Sequence, residues 1–124
     1  MSAKDTQFFF NMREQIKLYH WQTKVYSRHK ATDGVIDSLD ESIDKYVEVY
    51  MGKYGRMKVN TETGTIRIRN LTEKSIIGFI KNCINYLNNE LVKKLKDTDT
   101  DLVNLRDEML AELNQLLYLF TLKG

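Results

Sequence analysis

The sequence contains no proline, a single cysteine and only six glycines among its 124 residues. Without proline, and with so few glycines, little in the chain interrupts long helices. The lone Cys83 excludes an intramolecular disulfide, and its place in an apolar helical pattern predicts a buried, inert thiol. Because no apolar run approaches a membrane span or forms a secretory leader, the sequence predicts a cytoplasmic protein with no membrane partner.

A large charge of one sign is also lacking, since the formal net charge is only +2. Such a small excess gives no general electrostatic reason to bind nucleic acid. Four cations are concentrated in one short segment: Arg56, Lys58, Arg67 and Arg69. No aromatic residues are interleaved with them, and making an exposed segment soluble is the commoner use of such charges. The sequence therefore argues against nucleic acid as a partner.

Apolar residues recur at helical spacing in four long segments, which predict four helices. These helices span about residues 5–24, 27–54, 72–97 and 100–122. A content of 42% hydrophobic and 29% charged residues is typical of a globular protein, and 124 residues suffice for one domain. The sequence therefore predicts an all-α fold, a single four-helix bundle domain over residues 1–124.

The segment over residues 56–70 has a different pattern, because apolar and polar residues alternate on both sides of a polar stretch at 60–64. Alternation around a turn predicts a β-hairpin. The segment is also longer than a tight antiparallel turn requires. It leaves room for a crossover along the bundle, which would make the second and third helices parallel.

Histidine and carboxylate residues form the most informative pattern in the chain. In the second predicted helix, positions 29, 33, 37, 40, 44 and 48 follow one another at steps of three or four, and each is His, Asp or Glu. Residues at these steps share one face of a helix. His20 lies nine residues before His29, across a corner between two helices that can bring the two imidazoles together.

Imidazole and carboxylate groups are ligands of iron and zinc, so five residues are candidate metal ligands and, for redox chemistry, candidate catalytic residues. They are His20, His29, Asp33, Asp44 and Glu48. One straight helix separates His29 from Asp44 by about 22 Å, too far for one chain to complete a site. Two antiparallel copies would close the gap around a two-fold axis near Ser38 and Leu39. Alternatively, the acidic stripe is simply the solvated face of an amphipathic helix.

Over residues 16–56 the sequence resembles the mini-ferritins typified by Dps, the DNA-binding protein from starved cells. Members carry His-Trp late in the first helix, then a second His that is followed by Asp, Asp and Glu after 4, 15 and 19 residues. The matching residues here are His20-Trp21, His29, Asp33, Asp44 and Glu48. The interval between the histidines is three residues shorter than in that family, which implies a tighter corner. The His-Trp-Gln-Thr sequence at 20–23 and the segment 46–56 also resemble an uncharacterised ferritin-like group met in large DNA viruses and phages.

The resemblance implies a ferritin-like bundle with an iron ferroxidase site shared across a two-fold axis. His20, His29 and Asp33 of one subunit would face Asp44 and Glu48 of the other. The implied activity is Fe(II) oxidation by hydrogen peroxide or dioxygen, for iron storage and oxidative protection, in a homo-oligomer that is a dimer or a dodecameric cage. Zinc can occupy the same ligands. The alternative is a non-enzymatic structural or interaction protein on the same bundle, viral in origin and located in the host cytoplasm or the virion.

Overall fold

The computed structural model describes residues 2–123, which fold into four α-helices. They are α1 (Ala3–Gln22), α2 (Tyr26–Tyr54), α3 (Ser75–Asn89) and α4 (Thr100–Leu119). The predicted all-α bundle of four helices is therefore confirmed. No helix in this part of the chain is long and apolar enough to cross a membrane.

The predicted helix boundaries agree with the structure to within three residues at every end but one. α2 ends where Gly55 adopts a positive φ of 89°, a conformation that glycine reaches without strain. α3 ends at Asn89 instead of continuing to residue 97, and the chain then makes turns up to Asp99. Leu91 remains buried in these turns. The apolar periodicity therefore continues past the point at which the helix has ended.

Neighbouring helices in the bundle run antiparallel. α1 pairs with α2, where Phe9 packs on Tyr46 at one end and His20 on His29 at the other; α2 pairs with α4, and α3 with α4. α3 also lies alongside α1, where Tyr86 stacks on Phe8 at one end and Glu73 accepts a hydrogen bond from Tyr19 at the other. Because both α2 and α3 are antiparallel to α1, they are parallel to each other. This confirms the crossover predicted between them.

The hydrophobic core lies between the four helices. Its fully buried aliphatic and methionine side chains are Met12, Ile16, Leu39, Ile76, Ile80, Leu87, Leu102, Met109, Leu113 and Leu116. Cys83 is buried among them, as predicted, and burial raises the pKa of its thiol to about 12. A thiol with such a high pKa is almost entirely protonated at neutral pH and is a poor nucleophile.

The predicted β-hairpin over residues 56–70 is wrong, because no strand is formed anywhere in residues 2–123. Gln15 is 1% exposed and binds both the N–H and the carbonyl of Arg69, while Gln7 donates to the carbonyls of Glu62 and Thr65. Side chains of α1 thus form hydrogen bonds with backbone groups that would otherwise pair with a partner strand. Ile68 remains 47% exposed, and a two-stranded ribbon that buries so little apolar surface is not stable alone.

Asp99 ties the end of α2 to the turn before α4. Its buried carboxylate pairs with Lys53 at 2.7 Å and accepts hydrogen bonds from the Tyr54 hydroxyl and the backbone N–H of Lys96. The Lys53 ammonium, followed by these two donors, holds the pKa of Asp99 well below its ordinary value of 3.8. The stabilisation is therefore complete above about pH 4 and is lost as the pH falls.

We expect Asp99→Asn to be less stable than the wild type at pH 7, by a margin that shrinks as the pH is lowered towards 3. Thermal unfolding at several pH values measures this margin. The matched control is Asp97→Asn, an exposed carboxylate in the same turn, which should change little. A margin that stays constant from pH 7 to pH 3 would contradict the assignment.

Candidate metal centre

The two histidines meet at the corner between α1 and α2. α1 ends at Gln22 and α2 begins at Tyr26, so only three residues connect the helices. The imidazole rings of His20 and His29 stack with their centroids 4.0 Å apart and their planes 13° from parallel. The prediction that a tight corner brings the two imidazoles together is confirmed.

A polar network around Glu73 holds this corner in place. The Glu73 carboxylate accepts hydrogen bonds from the hydroxyls of Tyr19 and Thr23 and lies 3.3 Å from the Arg28 guanidinium. Partial burial opposes the charged form, but the two hydroxyls and the Arg28 charge outweigh it and lower the pKa of Glu73. The guanidinium also donates to the backbone carbonyl of Glu73 and lies over the Phe120 ring. The corner is therefore tied to the start of α3 and the end of α4.

Hydrogen bonds fix the orientation of both imidazoles. Nδ1 of His29 lies 2.9 Å from the carbonyl of His20, which can only accept, so this nitrogen carries the proton. Nδ1 of His20 lies 2.8 Å from the hydroxyl of the buried Thr32. The Thr32 hydroxyl donates its own proton to the carbonyl of Arg28. We therefore assign the Nδ1 of His20 as the donor to the hydroxyl oxygen. In the neutral form of either ring, Nε2 is then the unprotonated nitrogen.

His20 is buried and faces a carboxylate. Burial, followed by the nearby His29, lowers the pKa of His20 below the ordinary 6.5, so the ring is neutral at pH 7. Its Nε2 lies 3.9 Å from a carboxylate oxygen of the exposed Asp33. Two atoms that both present lone pairs at this separation repel each other, and a cation between them relieves the repulsion. The corner therefore has the donor types that iron or zinc requires.

Asp44 and Glu48 lie far from this corner, in the second half of α2. Both are exposed and line a groove of about 400 Å³ between α1 and α2. Within residues 2–123, no three His, Cys, Asp or Glu side chains of one chain come together as a metal site. A single chain thus stacks His20 on His29 and places Asp33 near His20, without forming a three-residue metal site, and it leaves Asp44 and Glu48 apart.

The remaining carboxylates of the stripe differ in their surroundings. Asp37 is exposed, whereas Asp40 pairs with Arg13 of α1 at 2.6 Å. Sequence reasoning missed this pairing, and it also missed Thr32, which orients His20. A polar residue at position 32, on the apolar side of α2 and one turn after Arg28, is the signal that could have found Thr32.

The chain is similar in sequence to a protein family and to a phage protein. The model of a family of unknown function, DUF5856, matches residues 20–120. An uncharacterized 14.6 kDa protein in the mobD-ri intergenic region of Enterobacteria phage T4 is 49% identical over 37 residues. This match covers 30% of the chain and spans 29% of the length of the phage protein. No solved structure matches the chain.

Proposed function

We propose that this chain, which belongs to the DUF5856 family of unknown function, is a Dps-like protein that binds, oxidises and stores iron. The fold would be ferritin-like, with Fe(II) as the substrate. Each iron site would be shared by two copies of the chain, and the assembly would be at least a two-fold dimer. A dodecameric cage is the larger form that the resemblance to mini-ferritins implies.

The two stacked imidazoles carry this proposal. A hydrogen bond at Nδ1 fixes the tautomer of a ligating histidine and directs its other nitrogen to the metal, and both His20 and His29 have such a bond. Asp33, which has a carboxylate oxygen 3.9 Å from the His20 Nε2, would add an oxygen ligand beside them. Two imidazoles and one carboxylate would make half of a site.

Asp44 and Glu48 would supply the other half from the partner copy. Two antiparallel copies of α2, related by an axis near Ser38 and Leu39, bring each corner opposite the partner's carboxylates. Fe(II) bound between the half-sites would give up its electron to hydrogen peroxide or dioxygen, and the Fe(III) product would pass to a mineral.

We expect the wild type to bind Fe(II) saturably under anaerobic conditions and to oxidise it once peroxide is added. His29→Ala and Asp44→Ala should each abolish the saturable binding, because each removes one half of the site. Titration followed by absorbance measures both the binding and the oxidation.

The matched control is Asp97→Ala, which removes an exposed carboxylate in the turn before α4 and should bind Fe(II) like the wild type. Equal binding by the wild type and His29→Ala, or no saturable binding at all, would sink the ferroxidase proposal. Parallel titration with Zn²⁺ would identify a site that prefers zinc.

The second candidate function is a non-enzymatic structural or interaction protein on the same bundle. The exposure of Asp37, Asp44 and Glu48 in a single chain favours it, since solvated carboxylates need no metal. The similarity to a phage protein makes a viral origin part of this proposal, with the host cytoplasm or the virion as its location.

A further inference from the structure

Two large aromatic side chains beside the histidine corner lie open to solvent. Trp21 and Tyr26 are each 67% exposed. Lys17 lies over the Trp21 ring at 5.6 Å, and Lys30 lies over the Tyr26 ring at 6.0 Å. The corner therefore presents two aromatic rings, each with a positive charge beside it.

The groove that Asp44 and Glu48 line, at the other end of α2, is complementary to these rings and charges. It lies between α1 and α2, and apolar side chains that include Phe10, Met51 and Met57 contribute to its lining. Phe10 is 47% exposed there. The carboxylates of Asp44 and Glu48 also line the groove, beside Arg13, whose charge is paired with Asp40. An occupant that carries both aromatic rings and positive charges would match the apolar side chains and the carboxylates of this groove.

A second copy of the chain brings such an occupant to the groove. If His29 faces Glu48 across the two-fold axis, then by the same register Tyr26 faces Met51. A two-fold axis also places both copies of α1 on the same side of the paired α2 helices. The end of the partner's α1, which carries Trp21, thus comes beside the groove between α1 and α2.

We propose that Trp21 and Tyr26 of each copy pack into the groove of the other copy, with Lys17 and Lys30 beside Asp44 and Glu48. This aromatic contact rests on the antiparallel pairing in the proposed function, but it does not require a bound metal. It would hold the two half-sites in register and exclude water from one side of them. Buried aromatic residues at the centre of an interface contribute a large share of its binding energy.

Trp21 is the only tryptophan in the chain, so its fluorescence reports directly on this contact. Emission and iodide quenching are measured over a concentration series, once with chelator and once with Zn²⁺, alongside sedimentation velocity. We expect the emission to shift to the blue, and quencher access to fall, over the same concentrations at which the dimer forms.

Phe10→Ser should weaken the dimer at least about tenfold and leave Trp21 open to quencher in the remaining monomer. Tyr118→Ser is the matched control, because Tyr118 is an aromatic residue on α4 that is 61% exposed and lies outside the groove. This variant should dimerise like the wild type.

The outcomes separate the two proposals. A dimer in which Trp21 remains as accessible as in the monomer would overturn the aromatic contact and leave the shared iron site standing. A dimer with buried Trp21 but no saturable Fe(II) binding would overturn the shared iron site and leave the aromatic contact standing. A chain that stays monomeric at about 0.1 mM, with chelator and with metal, would overturn both.

Discussion

Mixing two inactive variants restores Fe(II) oxidation if the iron site is shared between copies. His29→Ala and Asp44→Ala each lose both sites of the homodimer. In a mixed dimer, one site carries both lesions and the other carries neither. Random assortment makes half of the dimers mixed, so an equimolar mixture should recover about a quarter of the wild-type sites. Anaerobic Fe(II) titration followed by addition of peroxide, before and after the variants are unfolded and refolded together, measures the recovery.

The control for this experiment is a mixture of His29→Ala with His20→Ala, which damages the same half-site in both chains. This mixture should recover nothing, because each site of a mixed dimer lacks one imidazole. A site formed within a single chain predicts no recovery in either mixture. Recovery in both mixtures would also contradict the proposed arrangement.

Leu39→Ala should lower the free energy of unfolding by about 2–5 kcal/mol, the range for truncating a fully buried leucine. Leu39 is 0% exposed and lies at the middle of α2, next to the exposed Ser38. Its side chain fills the core behind the centre of the acidic stripe. Urea unfolding followed by circular dichroism measures the change.

Ser38→Ala is the neighbouring control and should change the stability by less than about 0.5 kcal/mol. Neither substitution touches the candidate ligands, so folded Leu39→Ala should bind Fe(II) with the wild-type stoichiometry. A loss below about 1 kcal/mol for Leu39→Ala would contradict the position of Leu39 in the core.

The positions of the helices were predictable because the information is local. A stripe of apolar residues at helical spacing, with no proline to interrupt it, can bury one face only as a helix. The interval of nine residues from His20 to His29 similarly limited the corner to a few residues. Such a corner could bring the two imidazoles together, and the structure stacks them.

The crossover was predictable in its path but not in its conformation. Alternating residues over 56–70 are compatible with a strand, but a strand needs a partner for its backbone groups. Gln7 and Gln15 of α1 act as the hydrogen-bond partners of these groups instead, although they lie more than 50 positions away in the sequence. Tertiary contacts of this kind leave no local pattern in the sequence. The early end of α3 has a similar origin, because Asp99 stabilises the turns that follow it.

The sequence by itself determined the five candidate ligands and their division into two groups. That division follows from the fixed rise of a helix, which separates His29 from Asp44 by about 22 Å in any fold that keeps α2 straight. Only the tertiary structure decided the environment of those ligands. Contacts between helices close in space but distant in sequence bury His20 against Thr32, anchor the corner through Glu73, and leave Trp21 and Tyr26 exposed beside it.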